Sequence, residues 1–159
     1  MKNKIKYAVA LGAMMVAAPA LAQDKTVKIG VLNDMSSLYA DIGGPNSVNA
    51  AKLAVEDSGL VAKGWKIEVI GADHQNKPDV GVSIARQWFD VEKVDAIAAS
   101  TPSGSPLDAW AVVTEKNTVF MNPGAATAGL TNEACSPNTV SFTYDTYMLA
   151  NGTGKALTK

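Results

Sequence analysis

The sequence has one histidine, His74, and one cysteine, Cys135, in 159 residues. A single histidine excludes every metal site built on several histidines and every nucleophile-base pair that does not use His74 itself. In the polar stretch Asp73-His74-Gln75-Asn76 it reads as a solvated loop side chain. A lone cysteine excludes an internal disulfide; Cys135 is either a buried free thiol or has its partner outside this chain. The glycine motifs of nucleotide chemistry are also missing. The segment Asn33 to Gly44 contains no G-x-G-x-x-G, and Gly154-Lys155 has Leu149 and Ala156 where a phosphate-binding loop needs Gly and a hydroxyl residue. Pro102-Ser103-Gly104-Ser105-Pro106 places prolines where a nucleophile elbow needs glycines. With no nucleophile-base pair and no metal set, the expectation is a binding protein and not an enzyme, with no cofactor. Long apolar runs are absent as well. Ala8 to Ala18 spans 11 residues, whereas about 20 are needed to cross a bilayer.

That short run has a role at the N-terminus. Lys2, Lys4 and Lys6 precede it and Ala20-Leu21-Ala22 follows, which is the pattern of a secretory signal peptide over residues 1–22. The mature chain is expected to begin at Gln23 and to be exported from the cytoplasm. Removing the leader takes three of 14 basic residues and none of 15 acidic ones, leaving 11 against 15, a balance of −4. Such a chain has no electrostatic footprint for nucleic acid. A hydrophobic content of 47% suffices for one packed core.

The mature region alternates short β-type runs with helical patterns, the signature of an α/β fold with a parallel sheet. Strands are predicted from Val27 to Leu32, Trp65 to Ile70, Val94 to Ala99, Val119 to Met121 and Thr139 to Thr143. In the second, Ile67 and Val69 alternate with Lys66 and Glu68, which predicts one wet face near a sheet edge. A helix is predicted from Gly44-Pro45 to Ser58, with Val48, Ala51, Ala54 and Val55 on one face and Gly59 as its stop. A second covers Asp79 to Asp90, with Val80, Ile84 and Trp88 as a core stripe, and a third runs from Ser105 to Lys116. A last helix begins near Thr146, and with no strand after it the end at Lys159 reads as a truncation.

In a parallel sheet, ligands gather outside the carboxyl ends of the strands. Three loops there are rich in hydroxyls and backbone amides: Ser36, Ser37 and Tyr39; Ser100, Thr101 and Ser103; and Asn122 with Gly124 to Thr127. Such groups suit a carboxylate or another small polar head. Each residue alone is an ordinary turn former; the functional reading rests on three loops at one edge.

Val27-Lys28-Ile29-Gly30-Val31-Leu32, the Ser36 to Gly44 loop, Asp73-His74-Gln75-Asn76-Lys77-Pro78-Asp79 and Asn122-Pro123-Gly124-Ala125-Ala126-Thr127 with Leu130-Thr131 carry a family likeness. In order and spacing they resemble the type I periplasmic solute-binding proteins of ABC transporters, in the branch of leucine/isoleucine/valine and aromatic-acid binders. The resemblance implies a three-layer lobe over 23–143, then a hinge crossing and the first helix of an absent second lobe over 144–159. It implies capture of a branched-chain amino acid, aromatic carboxylate or amide between two lobes, delivery to a membrane permease, and a monomer. It places Tyr39 against the ligand, Ser103 as a hydroxyl donor to its carboxylate, and Ala125 and Thr127 as further backbone and hydroxyl partners, with Ala126 competing for the role of Thr127. Tyr144 and Tyr147 either face the cleft or pack between hinge segments. The alternative is a ligand-sensing domain of a receptor on the same fold, which a gene continuing into a membrane helix and a signalling domain would favour.

Overall fold

The computed structural model describes residues 25–99 and 105–158; the expected signal peptide and Ser103 lie outside them. Five strands, β1 (Thr26–Asn33), β2 (Lys66–Asp73), β3 (Ala96–Ala98), β4 (Val119–Asn122) and β5 (Thr139–Ser141), form one sheet in the order β2-β1-β3-β4-β5. Every pairing is parallel. The helices are α1 (Asn46–Asp57), α2 (Pro78–Gln87), α3 (Ser105–Lys116) and α4 (Thr146–Leu157). The predicted α/β parallel-sheet architecture is therefore present, and β2 is an edge strand, as its alternation implied.

Strand alternation sorts side chains between two faces. Leu32, Ile97 and Phe120 point to one side and join Ala85, Trp88, Phe89, Val112 and Val113 in a dry core. Helices α2 and α3 cover this side and are clasped at the surface by Arg86, whose guanidinium donates to both Glu115 oxygens at 3.0 and 2.7 Å. Trp88 is core, as its spacing predicted. The predicted second helix changes character at that residue: a π-helical turn, Trp88–Glu92, replaces its last turn and buries both Trp88 and Phe89. Lys93, at φ 57°, ends it.

Ile29, Val31, Ile67, Ala98 and Met121 point to the other face, where, among the described residues, α1 packs on β1 and β2. No residue of α1 is buried. Its apolar side, Ala50, Ala51, Ala54 and Val55, instead lines a trough of about 840 Å³ against those sheet residues and Phe142. Val48 packs closely on β2 at Gly71, where a Cβ would stand 2.6 Å from its Cγ2, but the Ala and Val residues after it stand off from the sheet. A helix is about 10 Å across and five strands are roughly 20 Å wide, so one helix leaves half the face open. The helix starts one residue later than predicted, with Pro45 at its N-cap. Gly59 follows the C-cap at φ 65°, a left-handed stop that suits glycine.

Candidate functional site

Asp73 and Asn122 end β2 and β4 at the carboxyl edge and Asp34 directly follows β1, and these three side chains build the loops. Asn122, the last residue of β4, is fully buried. Its Oδ1 accepts the N–H groups of Gly124 and Ala125 at 3.2 and 2.7 Å. Its Nδ2 donates to the Ala125 carbonyl at 2.7 Å and to Ser141 Oγ at 2.8 Å. One amide therefore shapes the loop after β4 and ties it to β5. The loop then enters a 3-10 turn, Ala128–Thr131, capped by Thr127, whose Oγ1 accepts the Gly129 N–H at 3.2 Å. The start of α4 is joined to it: the Thr146 N–H donates to the Ala126 carbonyl at 2.8 Å.

On the other side of β3, the Asp34 carboxylate accepts Ser37 Oγ at 2.5 Å and the N–H groups of Ser37 and Tyr39 at 2.8 and 2.9 Å. Asp73, at the end of β2, accepts Ser36 Oγ at 2.5 Å and the N–H groups of Met35 and Gln75 at 2.9 and 2.7 Å. Burial pushes the Asp34 carboxyl up, but the Ser37 hydroxyl and the Tyr39, Ser37 and Ser36 N–H groups together outweigh it and bring it down to about 2. Asp73 is likewise lowered: burial opposes, while the Met35 N–H, the Ser36 hydroxyl and the Gln75 N–H prevail.

His74 corrects the reading of a solvated loop side chain, for it is only 2% exposed. Its Nδ1 accepts the Asn76 N–H at 3.0 Å, which fixes the neutral ring with the proton on Nε2. The chain is pulled inward because the His74 N–H donates to the Asn33 carbonyl at 3.0 Å, extending the β1-β2 ladder. Burial holds the imidazole below its ordinary value, against the charges of Asp34 and Asp73. Depressed values in the folded state mean that stability is present above the unfolded values and lost as pH falls. Urea unfolding between pH 8 and 3 is expected to show a first decline below the ordinary histidine value of 6.5 and a further decline below 3.8, where the unfolded chain takes a proton at Asp34 that the folded chain does not. A flat profile down to pH 4 would show that His74 does not enter neutral.

Tyr39 is half-buried at the end of β1, Ala125 and Thr127 follow β4, and Tyr144, which is exposed, follows β5. The ends of β1 and β4 are two strand spacings apart, roughly 10 Å, a span suited to a small molecule. The structure brings Tyr39, Thr127 and Tyr144 to one edge. Ala125 is placed otherwise than its expected role needs: it is buried, and both its N–H and its carbonyl are engaged by Asn122, so it supports the loop from beneath. The hydroxyls of Ser36 and Ser37 are likewise engaged, by carboxylates. Cys135 is an exposed free thiol, which overturns burial as its fate. Asp34, Asp73 and Asn122 went unrecognised as builders of the edge; the available signal was a polar residue at or just after the end of each predicted strand. The trough beside α1 is lined mainly by apolar side chains and meets the edge at Asn33, Pro123, Gly124 and Tyr144. The edge carries the polar chemistry.

Among the described residues no group of three His, Cys, Asp or Glu side chains could hold a metal ion, and no helix is long and apolar enough to cross a membrane. A family model described as periplasmic binding protein matches residues 26–159. The chain belongs to the periplasmic binding protein family. Its fold is shared with solved members. A periplasmic binding protein from Burkholderia mallei is 47% identical, with a TM-score of 0.79 over 84% of this chain and 36% of that one. A periplasmic ligand-binding protein of a branched-chain amino acid ABC transporter from Burkholderia xenovorans is 38% identical, with a TM-score of 0.77 over 83% of this chain and 35% of that one. An ABC-transporter solute-binding protein from Rhodopseudomonas palustris, in complex with 3,4-dihydroxybenzoic acid, is 26% identical, with a TM-score of 0.67 over 80% of this chain and 37% of that one. The chain thus spans little more than a third of the solved relatives it matches. No curated protein matches it.

Proposed function

We propose that this chain forms one solute-binding lobe of an ABC importer's periplasmic capture protein and takes a small solute at the carboxyl edge of its sheet. The observation that carries this reading is the edge itself, where loops held by Asp34 and Asn122 converge from either side of β3. Tyr39, Ser103, Thr127 and Tyr144 are the residues assigned to touch the solute, with Ala125 as the buried support of its loop. A branched-chain amino acid, an aromatic carboxylate or a short amide fits an edge that offers hydroxyls, amides and aromatic rings, where the Asp34 and Asp73 carboxylates are occupied by loop donors. In this reading residues 1–22 are a cleaved export signal, 23–143 form the lobe and 144–159 cross toward a second lobe. Capture is non-enzymatic: both lobes contact the solute only when closed, so the solute stabilises the closed form that the permease reads.

One lobe supplies only part of the contacts. Residues 23–159 are therefore expected to bind leucine, isoleucine, 3,4-dihydroxybenzoate or acetamide only at a level on the order of millimolar. Amide shift changes in NMR titrations should gather at 35–39, 122–127 and 144. Changes confined to the trough, at Ala50, Ala54 and Met121, or none with any of the four, would refute the site. Micromolar or tighter binding by calorimetry would refute two-lobe capture.

A further inference from the structure

β1 and β2 end level with each other, Asn33 opposite Asp73. Beyond that line the chain from Met35 to Tyr39 is gathered onto two carboxylates. Asp34 takes the Ser37 hydroxyl and the N–H groups of Ser36, Ser37 and Tyr39. Asp73 takes the Met35 N–H and the Ser36 hydroxyl, and from its own loop the Gln75 N–H. Leu38 alone in this stretch donates to neither, and it is 76% exposed. Ionised carboxylates accept and never donate, so they cannot satisfy each other and require donors from the loop. Several charge-assisted bonds over five residues leave the loop one conformation.

We propose that Asp34 and Asp73 are positioning residues for solute capture: they fix the 35–39 loop before a solute arrives, so that Tyr39 is presented in place and binding does not have to order it. This rests on reading the carboxyl edge as the solute site. A loop ordered beforehand removes an entropic cost from association. Neither carboxylate needs to touch the solute. Their oxygens face N–H groups and serine hydroxyls of the 35–39 loop and, for Asp73, the Gln75 N–H as well.

The test uses the full chain with Asp34→Asn and Asp73→Asn variants. An asparagine turns an NH2 toward N–H groups that need an acceptor. In the unmodified chain the amides of Ser37 and Tyr39 should exchange slowly with solvent and the Tyr39 ring should give one sharp set of signals. Asp34→Asn is expected to speed those amides on the order of tenfold or more and to broaden the ring signals, while the Ile97 and Phe120 amides keep their rates. Asp73→Asn should do the same at Met35 and Gln75, and it decides the matter alone if the first variant does not fold. With 3,4-dihydroxybenzoate and leucine as probes, shift changes at Tyr39 should be lost in Asp34→Asn and kept at 122–127. Fast exchange at Tyr39 in the unmodified chain, unchanged exchange in the variants, or undiminished Tyr39 shift changes in Asp34→Asn would each overturn the proposal. If neither probe perturbs the edge of the unmodified chain, the solute reading falls with the claim of capture, while the exchange rates still decide whether the carboxylates preset the loop.

Discussion

Trp88→Ala is expected to lower the free energy of unfolding by about 3–5 kcal/mol. The indole lies at the centre of the dry core and is 4% exposed. Its ring also presses on the sheet where β1 has no side chain: a Cβ at Gly30 would stand 2.4 Å from Cε3 and Cζ3 of the ring. Gly30→Ala is therefore expected to destabilise too, by about 1–3 kcal/mol, because the methyl must displace a buried ring. Groups in contact do not act independently. In the double variant the methyl enters the space the indole vacates, so the combined loss should fall short of the sum. Urea unfolding of the three variants checks this, and additive losses would show that Gly30 and Trp88 are not in contact.

Asn122→Leu is expected to cost about 2 kcal/mol or more, since the N–H and carbonyl of buried Ala125 lose their partner, at roughly 1–3 kcal/mol for each group left buried and unpaired. Asn122→Asp keeps the acceptor for both N–H groups but sets a second oxygen against the Ala125 carbonyl, where the amide donates, and puts a charge in a fully buried site. At neutral pH its loss is therefore expected to be at least as large as that of Asn122→Leu, and to shrink relative to it as the carboxyl protonates and can donate there. Urea midpoints of both variants against pH check this; a difference between them that does not change with pH would show that the Ala125 carbonyl does not need a donor.

The sheet was legible in the sequence because its signal is periodic. Alternation of Ile67 and Val69 with charged residues placed β2 at an edge, and the spacing of Ile84 and Trp88 placed both on the core side of the sheet. The polar machinery was less so. Asp34, Asp73 and His74 sit among Ser, Asn and Gln, and by composition such a stretch reads as a wet turn. Asp73 and His74 are drawn inward by backbone partners on β1 and just after it, the Met35 N–H for Asp73 and the Asn33 carbonyl for the His74 N–H, and no local pattern records a partner 38 or 41 residues away. Asp34 is held by its own loop, where Ser37 donates to it three residues on. With Ser36 donating to Asp73, both serine hydroxyls turn inward to carboxylates, which leaves the tyrosine ring as the loop's chief means of contact. The stand-off of α1 was also hidden, because its apolar stripe resembles that of a helix packed on a full layer.

That open face has a thermal consequence. Unfolding raises heat capacity in proportion to the apolar surface newly brought into water, typically about 12–15 cal/mol/K per residue. Ile29, Ile67 and Met121 are only partly buried and border a trough that water already reaches in the folded chain, so they contribute less to that change than core residues do. The heat-capacity increment of this chain therefore falls below what its length implies. Its stability curve is correspondingly flatter, and its unfolding enthalpy varies less with temperature than that of a domain dry on both sides of its sheet.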